Sequence, residues 1–317
     1  MVQTNEILSL LQTACLRRKP LQKTTNAMRL VNGRGDGMEG LILEQYDRHF
    51  IVQVLHAAWL EHIETLTDFL CRQFKPRYFI LKDRISSSAA HAQAVRSQIL
   101  INEAGSKTII QEYGVRFEVD LNDTLNAGLF LDMRANRRRI AQMACGKRVL
   151  NCFAYTCSFG VHARLGGALE AVNIDVSKKI LERGEVNYQL NSLAVQGQEF
   201  VRADAGVYLE RAVKKGNWFD IIVIDPPSFA RASKNVFQVK KNLPKLVTNA
   251  VKVLNGNGTL FVSTNFSELT HNHLMAMLQA ACGNRKIKHV QHLGQDIDYP
   301  GSGTMKESYL AAVLVKF

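Results

Sequence analysis

The residues of this chain best suited to chemistry form one short run, Ile224-Asp225-Pro226-Pro227-Ser228-Phe229. Two consecutive prolines remove two N–H donors and stiffen the backbone directly after a carboxylate. The outcome is a rigid shelf with a carboxylate, exposed carbonyls and an aromatic ring. Such a shelf accepts hydrogen bonds from the N–H groups of a planar base while Phe229 stacks on its face. Two more carboxylates end apolar runs. Asp175, followed by Val176 and Ser177, is placed to accept from ribose hydroxyls, and Asp204, followed by Ala205, from an adenine amino group. Each would serve equally as the cap of a following helix.

The loop Asn151-Cys152-Phe153-Ala154-Tyr155-Thr156-Cys157-Ser158-Phe159-Gly160 holds one late glycine and no GxGxxG pattern. Its side chains keep a pyrophosphate away, but its backbone can meet a smaller, less anionic ligand. Cys152 and Cys157 read as small buried hydrophobes before nucleophiles. His271 and His273 are two apart on a helix and face different sides, so no metal site is expected. Residues 33–40 (GRGDGMEG) read as turn chemistry, with a substrate contact through Arg34 as the alternative.

These residues need elements to hold them. From Arg148 onward, strands over Arg148–Phe153, Ala171–Val176, Glu199–Ala203, Phe219–Asp225 and Gly258–Thr264 alternate with helices, and terminal strands follow at 289–293 and 308–316. The stretch after Asp225 is expected to be one long helix to Leu254. Apolar strands separated by helices mean a parallel sheet covered on both faces, with ligands at the carboxyl ends of the strands. All three carboxylates fall there. Upstream lie a helical segment at 5–15, hairpins at Leu41–Leu55 and Thr108–Leu121, an amphipathic helix over 58–74 and a strand at Tyr78–Leu81. The expected organisation is a basic helical extension (1–25), a small α/β domain (26–122) and a larger α/β domain (123–317).

With 317 residues, 46% of them hydrophobic, the chain can bury two cores and is not disordered. No apolar run reaches the roughly 20 residues of a membrane span. Six cysteines without a CxxC pair read as reduced thiols of a cytoplasmic protein. The net charge of +12 is concentrated: residues 1–25 carry +3, residues 134–148 and 228–252 carry +6 each, and the rest is net −3. Such segments suit a phosphate backbone. The expected RNA contacts are Arg17, Arg18, Lys19, Arg34, Arg137, Arg138, Arg231, Lys234, Lys240 and Lys241.

Several ordered segments together resemble class I S-adenosylmethionine-dependent rRNA methyltransferases of the RlmI/RlmK type, over roughly residues 26–317. They are AMRLVNGRGDGMEGLIL (27–43), AGLFLDMRANRR (127–138), LNCFAYTCSFGVHA, NIDVS, RADA and DPPSF. The resemblance implies a Rossmann-like domain with a mostly parallel seven-stranded sheet, preceded by a small α/β domain. It implies S-adenosylmethionine as cofactor, with Asn151, Cys152, Phe153, Ala154, Tyr155 and Thr156 along the methionine portion. Asp175, with Val176 and Ser177, would bind the ribose, and Asp204 with Ala205 would border the adenine. Phe130, Asp132 and Arg134 would close the pocket, and Asp225, Pro226, Pro227 and Phe229 would hold the target base. The implied partner is RNA, in particular 23S rRNA or a ribosomal subunit precursor. Members often begin with a PUA domain, for which the stretch before Ala27 is too short.

Members that make 5-methylcytosine carry a cysteine after the fifth strand, because carbon 5 is a poor nucleophile until a thiolate adds to carbon 6. Asn265 stands there in this chain. That resembles the branch methylating guanine N7, whose lone pair needs only in-line positioning. The alternatives are 5-methylcytosine formation, methylation of an exocyclic amine, and a non-catalytic RNA-binding assembly factor. An NAD-dependent oxidoreductase is disfavoured by the missing glycines. The sequence leaves the oligomeric state open between monomer and homodimer.

Overall fold

The computed structural model describes residues 4–85, 96–123, 126–227, 229–232, 235–266, 268–301 and 310–317, with the backbone alone at 229–232 and 235–237. The chain divides into two compact units, Met1–Arg134 with Asp296–Glu307, and Ala135–Gln295 with Ser308–Phe317. The tail thus contributes to the first unit before its last strand returns to the second.

In the first unit, α1 (Thr4–Arg18) precedes a five-stranded sheet of β1 (Ala27–Asn32), β2 (Leu41–Tyr46), β3 (His49–Val54), β4 (Tyr78–Asp83) and β5 (Arg96–Asn102), in that order. All pairs are antiparallel except β3 and β4, which are joined through α2 (Ile63–Phe74) and run parallel. A crossover helix is what a parallel neighbour requires. One set of alternating strand residues (Met28, Leu30, Leu43, Phe50, Val52, Phe79) packs with Ile7 and Leu11 of α1 and Leu66 and Leu70 of α2. The first helix is therefore part of this core and not a separate extension. The hairpin of β6 (Lys107–Glu112) and β7 (Val115–Asp120) completes the strands described here.

The second unit carries most of α3 (Arg134–Met143), then β8 (Arg148–Cys152), α4 (Ser158–Leu165), β9 (Glu170–Asp175), α5 (Lys178–Leu190), β10 (Phe200–Arg202), α6 (Ala205–Lys215) and β11 (Phe219–Ile224). There follow β12 (Phe229–Ala232), β13 (Asn235–Gln238), α7 (Val239–Lys252), β14 (Leu254–Thr264), α8 (His271–Cys282), β15 (His289–Leu293) and β16 (Ala311–Lys316). The seven-stranded sheet has the order β10-β9-β8-β11-β14-β16-β15, and within it only β16 runs against its neighbours. This is the Rossmann-like α/β architecture, with the strand order reversing between β8 and β11.

One expectation needs correction. The segment after Asp225 is not a single helix: an antiparallel hairpin, β12–β13, comes first, and the helix begins only at Val239. Among the described residues, no helix is long and apolar enough to cross a membrane.

Candidate active site

Strand register in the second unit aligns the expected site residues. Val201, Ile174, Cys152, Ile224 and Val262 form one row across β10, β9, β8, β11 and β14. Asp175 and Asp225 each stand one residue beyond that row, as do Phe153 and Ser263, while Asp204 stands three beyond. With strands about 4.8 Å apart, β10 and β11 are separated by roughly 14 Å, so this rim can line an extended ligand. It lies where strand order reverses, which is where doubly wound sheets bind.

The loop after β8 is shaped by backbone conformation. Phe153, Tyr155 and Cys157 have φ of 59°, 50° and 60°, so left-handed residues recur at every second position. Such alternation curls a chain and turns successive N–H groups to one side. The Ala154 amide donates to the Ile174 carbonyl at 2.9 Å, and the Tyr155 amide to Asp175 Oδ2 at 3.0 Å. Asp175 Oδ1 accepts from the Ser177 amide at 2.9 Å, so this carboxylate fixes both loops before any ligand arrives. Burial pushes its pKa up, against the opposing effect of those backbone donors. Val176 beside it is exposed, and Ser177 occupies the N-cap position of α5.

Asn151 is buried and donates through Nδ2 to Asn173 Oδ1 at 2.9 Å. Asn173 donates onward to the Ala171 carbonyl and the Tyr188 hydroxyl. Sequence reasoning misses Asn173, because a polar residue inside an apolar strand carries no signal until its partner is known. Gly160 permits the packing of α4 here, since a Cβ on it would come within 2.2 Å of Asn173 Oδ1. Cys152, Ala154 and Thr156 are buried.

Asp204 caps α6, its Oδ1 accepting from the Val207 amide at 3.0 Å, and Ala205 is buried beneath it. Asp225 Oδ1 accepts from Ser263 Oγ at 2.6 Å, a partner the sequence does not single out. Pro226 is buried and Pro227 exposed, and Asn265 is exposed just past the end of β14. The side chains of Phe229 and Arg231, Ser228, and all of Lys234 lie outside the described residues.

The cysteines of this rim, Cys152 and Cys157, are both buried. Burial pushes the Cys152 thiol up to about 12 and raises Cys157 as well. The two histidines are structural: His271 lies 2.8 Å from the Leu293 carbonyl and packs edge-on against His292, while His273 completes a capping box with Thr270.

Phe130, Asp132 and Arg134 belong to the first unit. Phe130 and Asp132 line a cavity of about 320 Å³ there. Arg134 is fully buried and held by Asp298 at 2.6 Å.

Burial also corrects the expected RNA surface. Arg18 has no exposed area, and both its terminal nitrogens reach Asp36 at 2.6 Å. Arg137 is 1% exposed. Neither guanidinium is available to a phosphate. Arg17 shares Asp36, Arg34 pairs with Glu39, and Lys240 pairs with Glu268. Lys19, Arg138 and Lys241 are exposed.

The acceptor set fits S-adenosylmethionine. Carboxylates 175, 204 and 225 line the rim, where a diphosphate would meet like charge, while ribose hydroxyls, an adenine amine and a sulfonium would meet acceptors or opposite charge.

Comparison with known proteins agrees. A profile described as S-adenosylmethionine-dependent methyltransferase matches residues 51–313. Ribosomal RNA large subunit methyltransferase I of Photobacterium profundum is 29% identical over 89% of this chain and 72% of its own length. Ribosomal RNA large subunit methyltransferase K of Neisseria meningitidis is 33% identical over 74% of this chain and 65% of its own. Among solved structures, the candidate methyltransferase SMU.776, complexed with S-adenosylhomocysteine, superposes with a TM-score of 0.90 at 28% identity, covering all of this chain and 82% of that one. Rim carboxylates, reversed strand order and profile point the same way, and the chain belongs to the S-adenosylmethionine-dependent methyltransferase family.

Proposed function

We propose that this enzyme methylates a base of large-subunit ribosomal RNA, with guanine N7 as the accepting atom. The substrate class follows the Photobacterium and Neisseria relatives, of which this chain spans 72% and 65%. The rim supports an acceptor other than cytosine C5: Asn265 stands where a cytosine-C5 enzyme needs a cysteine, and burial pushes up the thiols of Cys152 and Cys157. Without a thiolate there is no addition to carbon 6, so the acceptor must already carry a lone pair.

When bound, S-adenosylmethionine supplies an electrophilic methyl group on sulfur. The chain's own residues supply position. Asp175 presents acceptors to the ribose and Asp204 borders the adenine. Asp225, oriented by the Ser263 hydroxyl, receives N–H groups of the target base on the proline-stiffened shelf. Guanine offers such donors at N1 and N2 and leaves N7 unprotonated, so no general base is required. In-line positioning supplies of order 7–11 kcal/mol of barrier reduction at best.

The observation that carries this reading is that Asp225 and Asn265 stand just past the ends of the paired strands β11 and β14. Nucleoside mass spectrometry of rRNA from cells with and without the gene tests it. Loss of one 7-methylguanosine is expected. Loss of a 5-methylcytidine or of an N-methylated amine would replace the acceptor, and an unchanged profile would remove the function.

A further inference from the structure

The seven-stranded sheet of the second unit has two ends. The carboxyl ends of its parallel strands carry the carboxylates described above. The opposite end, roughly 17–20 Å away along strands of five or six residues, has a different composition. Backbone hydrogen bonds fix which residues share it. The Leu169 amide donates to the Lys147 carbonyl at 2.9 Å, the Phe317 amide to the Gly258 carbonyl at 3.1 Å, and the Lys288 amide to the Lys316 carbonyl at 2.8 Å. Lys316 stands opposite Thr259 of β14 on one side and His289 of β15 on the other. With strands about 4.8 Å apart, the ledge from β8 to β15 runs roughly 19 Å, room for several phosphates.

Among the described residues, Lys147, Lys214, Lys215, Lys286, Lys288 and Lys316 lie at this end, all exposed. The carboxylates beside them are already occupied. Glu170 pairs with Arg148 at 2.9 Å, and Asp220 accepts from the Arg148 amide at 2.9 Å and from Asn255 Nδ2 at 2.7 Å. Lys288 Nζ donates to Asn257 Oδ1 at 2.6 Å, a partner without charge. The helix dipole accounts for Lys214 and Lys215 in the last turn of α6. It does not account for the other four, which stand on irregular segments or on a strand. Like charges gathered on one edge repel until a counter-charge arrives.

An aromatic ring stands among them. Trp218, just before β11, is 48% exposed, and Arg148 holds its carbonyl at 2.8 Å. Glycines keep the intervening turns low: a Cβ on Gly146, Gly216 or Gly256 would meet no atom within 4 Å. Ammonium groups with an exposed aromatic between them suit a single-stranded nucleic acid, whose phosphates meet the cations while a base stacks on the ring.

We propose that this edge holds the RNA substrate at a distance from the base that is methylated. The lysines take successive phosphates, and an unpaired base stacks on Trp218. The inference rests on RNA being the substrate, and it adds a contact at the end of the sheet opposite the cofactor rim.

The test uses the full chain and labelled oligoadenylate, a single-stranded RNA with no guanine to methylate. The chain has two tryptophans and Trp59 is buried, so quenching of tryptophan fluorescence reports Trp218. Quenching is expected, and Trp218→Phe should remove it. By anisotropy, Trp218→Ala should weaken binding at least fivefold. Lys288→Ala combined with Lys316→Ala should lower the log–log salt slope by about 1.4, two phosphates at roughly 0.7 each, with S-adenosylmethionine affinity within twofold. Should that variant fail to fold, Lys214→Ala with Lys215→Ala on α6 gives the same readout. The proposal is overturned if oligoadenylate leaves the fluorescence unchanged, or if the folded variants match the unaltered chain in slope and affinity. Lysine variants that lose binding to anionic-lipid vesicles but keep RNA affinity would assign the edge to a membrane and equally overturn it. Failure to methylate any RNA would remove the substrate reading instead, and the oligoadenylate titration would still decide whether this edge binds RNA.

Discussion

Arg134 and Asp298 stand 164 residues apart in the chain and 2.6 Å apart in the structure, both without exposed side-chain area. The aspartate also accepts from the Arg29 amide at 3.1 Å, and its carbonyl accepts from Arg18 at 2.9 Å. Asn32 holds the Pro300 carbonyl at 3.0 Å. This cluster fastens the returning segment 296–301 against β1, next to the cavity that Tyr299 helps to line.

Breaking one side of this pair leaves a buried charge without compensation. Arg134→Met and Asp298→Asn should each cost about 3–5 kcal/mol in urea unfolding. Changing both should cost less than the two single effects combined, because each removes the other's stranded partner. Strict additivity would mean that the pair does not interact.

Asp175 gives a pH prediction with a definite sign. Its folded pKa is raised above the ordinary value of 3.8 by burial. Its contribution to stability is therefore fully present below that value and is lost as pH rises through the folded pKa. Asp175→Asn fixes the neutral form, so its stability relative to the unaltered protein should increase from pH 4 to pH 7. Denaturant titrations across that window check it; a gap that shrinks with pH would contradict the direction. The same variant should bind S-adenosylmethionine more weakly at pH 7, having lost the charged acceptor.

The basic residues separate by burial. Arg138→Ala or Lys241→Ala should reduce the log–log salt slope of RNA binding by roughly 0.7–0.9, one phosphate each. Arg18→Ala should instead lower stability by about 1.5–3 kcal/mol, since it leaves Asp36 with Arg17 alone and removes the donor to the Arg29 and Asp298 carbonyls. Equal slope changes for Arg18 and Lys241 would show that exposure does not govern the contacts.

What is legible in the sequence follows from range. The strands from β8 to β14 are long apolar runs, and the residues just past them are readable because side chains and strand ends are set locally. Asp225, Asp175 and Asp204 emerge that way. The β12–β13 hairpin reads as helix because its strands are four residues each, too short to establish an alternating period. Arg18 and Arg137 look like surface charge because composition records a charge but not its partner. Trp218, Lys288 and Lys316 escape notice for a related reason. Single residues beside separate strands share one edge only once register is known. The return of 296–301 depends on a pair 164 residues apart, which no local pattern signals.

The central claim is transfer of a methyl group from S-adenosylmethionine to a base held at Asp225, without a cysteine nucleophile. The direct measurement uses purified protein, labelled S-adenosylmethionine and unmethylated large-subunit rRNA, with the labelled nucleoside identified by mass spectrometry. The expected product is 7-methylguanosine. Asp225→Ala should lose about 100-fold in rate with S-adenosylhomocysteine still binding, and product identity should be unchanged when Cys152 or Cys157 is replaced by Ala. Label appearing in 5-methylcytidine, or full activity in Asp225→Ala, would contradict the claim.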